Sequence, residues 1–243
     1  MIPGFNLTYS IENGKILPFG TQKPMQDSAA GVQNFIRKEL MHVRLLFVDC
    51  CPRGGASRTL RLCRAFLDEA GQALRGLETE TEALTAGSLL PLDADRLAER
   101  ERRCDARDWR DPMFRAARAL QRADAVLIGA PYWDLSFPSM LKVWVENVYV
   151  RNLTFRYEAD RCSGLCTGKA VVYLTTAGSP IGENDWGAGY IHAVLDSLGI
   201  HGFVRYAAEG LDLADADPAA IMDRAEAEVR CLAKQWSAQW KEN

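Results

Sequence analysis

Three short runs in the chain are almost continuously apolar: LLFV at 45–48, AVLIGA at 125–130 and AVVYL at 170–174. Runs of this length, bounded by turn residues, read as strands buried on both faces. A fourth segment, LETETEAL at 77–84, alternates polar residues without a continuous apolar core, which suits a strand at a sheet edge. A fifth, GFVRYAAEGL at 202–211, completes the set.

Between these segments the apolar period changes to that of a helix. Leu60, Cys63, Leu67, Ala70 and Leu74 trace one face after the first strand. A short helix is expected in DADRLAERERRC, whose charge run reads as a solvated surface. Asp111 as cap and Pro112 at the first turn open a helix in DPMFRAARALQRAD. Pro138 starts another with Leu141, Trp144, Val145 and Val148 on its face. GYIHAVLDSLG is a further helix, closed by Gly199. Asp217 and Pro218 open a last one carrying Ile221, Ala225, Val229, Leu232 and Trp236. Strands alternating with helices predict an α/β fold, a doubly wound five-stranded parallel sheet with helices on both faces. The edge character of the second strand favours the order 2-1-3-4-5. Ligands of such sheets bind outside the carboxyl ends of the strands where the chain reverses, here between strands one and three. Residues 1–40 lack periodicity and carry turn signals, so they read as an irregular extension to a domain spanning 41–243.

The 243 residues, 48% of them hydrophobic, suffice for one sizeable core. A net charge of −3 argues against nucleic-acid or anionic-membrane binding, and no apolar run approaches the about 20 residues that span a bilayer. With no leader-like N-terminus, a cytoplasmic protein is expected. Seven cysteines without a C-x-x-C pair, and only three histidines, favour neither a disulfide framework nor a metal site. Most of the cysteines read as small buried apolar residues.

The chemistry concentrates in loops at one edge of the sheet. After the first strand, Gly54 and Gly55 make a turn, and Ser57 and Thr59 stand at a helix start, where free N–H groups and the helix dipole favour an anion. The stretch lacks the lysine of G-x-x-x-x-G-K-[ST] and the spacing of G-x-G-x-x-G, so a single terminal phosphate fits better than a nucleoside triphosphate. The loop after the third strand, APYWDLSFP, offers aromatic rings. The loop after the fourth, TTAGSPIGENDWG, offers small residues and free amides. A phosphate beside a flat polar heterocycle suggests FMN. Two other readings stay open: a cysteine-type phosphatase with Cys51 as nucleophile and Arg58 as its arginine, although six residues separate them where C-x5-R has five, and a flavin-free interaction module or electron shuttle.

CCPRGGASRTL, ADAVLIGAPYWDLSFPSMLKVWVENV, TFRY and VYLTTAGSPIG, in this order and spacing, resemble the flavodoxin-like NAD(P)H:quinone oxidoreductases and FMN-dependent NADH azoreductases. The similarity runs from His42 to Ala233 and is most specific over 123–178. It implies that Ser57, Thr59 and the neighbouring Arg58 hold the FMN phosphate, with Cys51 at a place often taken by serine. Pro131, Tyr132, Trp133 and Asp134 would lie against the isoalloxazine, and Thr176, Ala177, Gly178 and Ser179 would border its pyrimidine side. The resemblance further implies a homodimer, with NADH or NADPH as donor and a flat aromatic small molecule such as a quinone or azo compound as acceptor in ping-pong turnover. Phe137 and Trp186 are candidates for the acceptor pocket, with Tyr149 and Phe155 reaching toward the partner's site. No side chain is required as a catalyst, because the flavin carries the chemistry. Asp134 departs from the asparagine common at its position. An ionised carboxylate there cannot donate a hydrogen bond, so either it lowers the flavin potential or its backbone N–H makes the contact. His192 reads as a surface or helix-packing histidine.

Overall fold

The computed structural model describes residues 42–241, apart from Ser88 and Asn184, together with a short antiparallel pair, Ile11–Glu12 with Lys15–Ile16. The expectation of an irregular extension over 1–40 otherwise lies outside the described residues.

Five parallel strands form the main sheet: β1 Val43–Asp49, β2 Leu77–Ala83, β3 Ala125–Gly129, β4 Ala170–Thr176 and β5 Gly202–Ala208. Their order is β2-β1-β3-β4-β5, as the polar alternation of β2 predicts. Every pairing is parallel, and the register sets Asp49 beside Gly129 and Gly129 beside Leu174, aligning the strand ends that carry the loops. β3 is buried along its whole length, and β1 and β4 nearly so, which is why they read as unbroken apolar runs. On the edge strand Glu78 and Glu80 face solvent. Glu82 is buried, and its carboxylate accepts from both terminal nitrogens of Arg115 at 2.6 and 2.8 Å.

One face of the sheet is covered by α1 (Arg58–Ala73) and α6 (Pro218–Lys241), the other by α3 (Arg115–Arg122), α4 (Ser139–Val148) and α5 (Trp186–Ser197). The charged α2 (Ala94–Ala106) contributes Cys104 to a small separate core with Phe114, Ala117, Val150 and Leu153. Two boundaries differ from the sequence reading. The segment after Asp111 begins as a 3-10 turn, Pro112–Phe114, before α3. α5 starts at Trp186 rather than Gly189, because Asp185 caps it by accepting from the Ala188 N–H at 2.9 Å. TFRY opens a small antiparallel hairpin, Phe155–Tyr157 with Cys162–Gly164, which sequence periodicity left unassigned. Among the described residues no helix is long and apolar enough to cross a membrane.

Candidate functional site

The carboxyl ends of β1, β3 and β4 and the segment after β5 enclose a cleft of about 490 Å³, open solvent at its mouth included. Its walls are Pro52, Arg53, Ser57, Arg58 and Thr59 from the first loop, Pro131, Tyr132 and Trp133 from the third, Thr176 and Gly178 from the fourth, and Asp212. The topological switch point therefore holds a cleft where strand order alone predicts a ligand.

The first loop turns through Gly54 at φ +52, which a glycine adopts without strain, and a 3-10 turn leads to Ser57. Ser57 caps α1: its hydroxyl accepts from the Leu60 N–H at 3.2 Å. The Thr59 hydroxyl lies 2.6 Å from that of Thr176, joining the first loop to the fourth across the cleft floor. No protein acceptor meets the Arg58 or Thr59 backbone N–H among the described residues, so two donors at the positive end of α1 remain for a ligand. Arg53, exposed on the same wall, and Arg58 add two guanidinium groups. Open amides, a helix start and two arginines form a donor set suited to a phosphate monoester, so the cradle fits the FMN phosphate.

The third loop is a tight hairpin. Trp133 donates its N–H to the Ser136 carbonyl at 3.1 Å, and Ser136 returns the bond at 2.8 Å. Asp134 and Leu135 form the turn at φ +50 and +64, the left-handed pair of a type I′ turn. Leucine in this conformation is strained, and the Trp133–Ser136 hydrogen bonds that close the turn set Trp133 at the cleft rim. The Asp134 side chain is exposed at the hairpin tip and is not part of the cleft wall. α5 supports the hairpin from behind: a Cβ on Gly187 would stand 3.2 Å from the Ser136 backbone and 3.3 Å from the Phe137 ring.

Eight of the twelve expected cofactor residues thus meet in one cleft: Ser57, Arg58, Thr59, Pro131, Tyr132, Trp133, Thr176 and Gly178. Asp134, Ala177, Ser179 and Cys51 lie off its wall. Cys51 is buried beneath the loop, its thiol against the Gly129 carbonyl at 3.5 Å. Burial, with Asp49 adding to it, pushes that thiol well above its ordinary range. A phosphatase nucleophile needs the opposite, an accessible thiolate, so the phosphatase reading is corrected.

The four expected acceptor-pocket residues form two groups. Phe137 lies 5.9 Å from Tyr190 beside the start of α4, and the exposed Trp186 opens α5, whose Gly187 faces the Phe137 ring. Tyr149 and Phe155 lie with tilted rings 4.5 Å apart beyond the other end of α4, about 15 Å away along the helix axis. His192 stacks on Phe203 at 4.7 Å, a packing position. Arg53 and Asp212 were missed by sequence reasoning. Arg53 stands in the quoted loop, whereas no spacing rule connects Asp212 to a loop 150 residues earlier in the chain.

Fold and cleft together define a flavodoxin-class α/β protein with a donor-lined cleft at its switch point. The flavodoxin-like fold family matches residues 43–232, and the chain belongs to that family. It is 30% identical over 196 residues to FMN-dependent NADH:quinone oxidoreductase 1 of Pseudomonas putida, covering 77% of this chain and 96% of that protein. The corresponding figures for FMN-dependent NADH:quinone oxidoreductase 2 of Clostridium acetobutylicum are 28% over 179 residues, 69% and 86%. In fold it resembles the crystal structure of azoreductase from Bacillus anthracis, with TM-score 0.71 at 18% identity, covering 79% of this chain and 99% of that one.

Proposed function

We propose that the protein is an FMN-dependent oxidoreductase that passes two electrons from NADH or NADPH to a quinone, azo compound or similar flat acceptor by a ping-pong mechanism. The observation that carries this reading is the cleft itself, in which a phosphate-sized cradle of open amides and arginines continues into a wall of Tyr132 and Trp133. The Pseudomonas putida and Clostridium acetobutylicum relatives support it by their names.

FMN supplies the two-electron chemistry when bound. The chain supplies position. The Arg58 and Thr59 amides with the Arg53 and Arg58 guanidinium groups hold the phosphate, and Ser57 keeps the end of α1 closed. Pro131, Tyr132 and Trp133 flank one side of the ring, and Thr176 with the Gly178 backbone borders its polar edge, while Ala177 and Ser179 support that loop from off the wall. Asp134 lies off the cleft wall with its carboxylate exposed at the hairpin tip, and it serves the site through the turn that sets Trp133 on the wall. Donor and acceptor take turns on the open side of the cleft. A second copy of the chain covers the exposed Trp133, Leu135 and Trp186 and completes the acceptor pocket.

An absorbance spectrum with added FMN, followed by anaerobic NADH and then NADPH, tests this. A bound-flavin spectrum that bleaches with a nicotinamide and recovers with a quinone is expected. Failure to take up FMN would leave a flavin-free module. Flavin reduced by a protein partner but by neither nicotinamide would leave an electron shuttle.

A further inference from the structure

Asp212 is the only carboxylate on a cleft wall that otherwise favours an anion, among the described residues. Its backbone N–H donates to the Gly178 carbonyl at 2.9 Å, and the preceding Leu211 N–H donates to the Ala177 carbonyl at 3.1 Å, so the segment after β5 zips onto the fourth loop. Its Oδ1 accepts from Arg58 Nη2 at 2.9 Å, while Arg58 Nη1 donates to the Leu211 carbonyl at 3.2 Å. The guanidinium is thus gripped at two points by the fifth segment, while its side chain springs from the first residue of α1. The group ties the start of α1 to the fifth segment, which is itself bonded to the fourth loop.

The same carboxylate explains a glycine. A Cβ on Gly178 would stand 2.4 Å from Asp212 Oδ2 and 3.1 Å from its carboxyl carbon. Atoms that close must move, so a side chain at 178 and the present Asp212 rotamer exclude each other. The backbone at Gly178 has no positive φ, so its lack of a side chain answers to space rather than to conformation.

We infer that Asp212 is a positioning residue for the cofactor phosphate: it fixes the Arg58 guanidinium on the cleft wall, and Gly178 is a glycine because that carboxylate occupies its side-chain space. This rests on the reading that the FMN phosphate sits in the cleft. A free arginine loses much rotamer freedom when it binds an anion, whereas one already gripped at two donors loses little and still has Nε and the outer hydrogens of both terminal nitrogens to offer. As an exposed ion pair Arg58–Asp212 contributes little to stability, so its effect should appear in binding.

The test compares dissociation constants for FMN and for riboflavin, which lacks the phosphate, by flavin fluorescence, with inorganic phosphate as a competitor against FMN. In Asp212→Ala the FMN constant should rise about ten-fold, the scale of one charge-assisted hydrogen bond. The riboflavin constant should hold, and the inorganic phosphate needed to compete should rise by the same factor. Asp212→Asn, which keeps an acceptor oxygen, should recover part of the loss. Gly178→Ala should weaken FMN in the same way, and Gly178→Ala with Asp212→Ala should be no worse than Asp212→Ala alone.

Equal losses for FMN and riboflavin would make Asp212 a loop scaffold and overturn the inference. An unchanged or tighter FMN constant in Asp212→Ala, or Gly178 and Asp212 effects that multiply, would overturn it too. A wild-type protein that binds riboflavin as tightly as FMN would refute the phosphate placement itself, a failure distinct from that of Asp212.

Discussion

Gly129 ends β3 one residue before the aromatic loop, and α1, whose start lines the cleft, packs against its face. A Cβ there would stand 2.3 Å from Cys63 Sγ, with Cys51 Sγ and the Phe47 ring each at 3.7 Å. Ordinary contact begins near 3.5 Å, so the sulfur or the strand must give way by about 1.2 Å. Cys63 is fully buried, among packed neighbours on every side. Overpacking of this kind costs about 1–3 kcal/mol, and the lack of free space puts Gly129→Ala in the upper part of that range. At about 2–4 °C per kcal/mol for a domain of this size, the apoprotein should melt about 4–12 °C lower. Cys63→Ala alone leaves a small void and should cost about 1 kcal/mol. The double variant moves one heavy atom from the helix to the strand and nearly conserves volume, so it should lie within about 1.5 kcal/mol of the wild type. Urea denaturation followed by far-UV circular dichroism measures all four proteins. Additive losses in the double variant would refute the packing account of Gly129. Because Cys63 lies one turn along α1 from Thr59, FMN affinity should fall in Gly129→Ala and return in the double variant.

At the hairpin tip, Leu135→Gly should raise the unfolding free energy by about 0.5–1 kcal/mol, since relief of left-handed strain exceeds the added freedom of the unfolded chain; a lower melting temperature would mean that the leucine side chain is held by a contact. The double change Ser57→Ala and Thr59→Ala should weaken FMN binding by roughly 1–3 kcal/mol in a fluorescence titration, because it removes the cap and the Thr59–Thr176 link that hold the open α1 amides in place, whereas Ser57→Ala alone should show as about 1 kcal/mol of lost stability through the cap. Iodoacetamide should modify Cys162 and Cys231 in the folded protein and all seven cysteines after denaturation. Burial pushes the Cys50 thiol up to about 12, so raising the pH to 9 should not add it to the reactive set; labelling of Cys50 or Cys51 in the native state would contradict their placement.

The sheet order was legible because burial leaves a plain record in composition. Strands covered on both faces carry unbroken apolar runs, and the edge strand carries glutamates. Helix starts were legible where a capping residue immediately precedes the apolar period, as at Asp217, whose carboxylate accepts from the Ala220 N–H at 3.0 Å. α5 was read three residues late. Trp186 at its start is exposed and the first turn contains two glycines, so the period there is weak and the Asp185 cap is the only local sign. The small hairpin at 155–164 escaped because three-residue strands have too little pattern to register.

The site divides along the same line. Residues near a strand end in sequence announce themselves, so the loops after β1, β3 and β4 were found, including the glycine turn and the aromatic pair. Their partners within the chain were not, because those are neighbours that only the fold brings together. Ser57 was assigned to a ligand on the strength of its hydroxyl, but that hydroxyl already receives a backbone N–H. Thr59 was assigned likewise, and its hydroxyl closes onto Thr176 across the cleft floor. What the first loop leaves open is main chain and guanidinium, a pattern invisible to side-chain inventory. Gly178 makes the same point in reverse: a reading from the loop alone gives the glycine to the flavin ring, whereas the fold places the Asp212 carboxylate in the space its side chain would need. A cleft built from three loops and a fifth segment is therefore held in shape by pairs with no shared sequence signal. Those pairs leave the Arg58 and Thr59 amides open at the loop where the sequence predicts an anion.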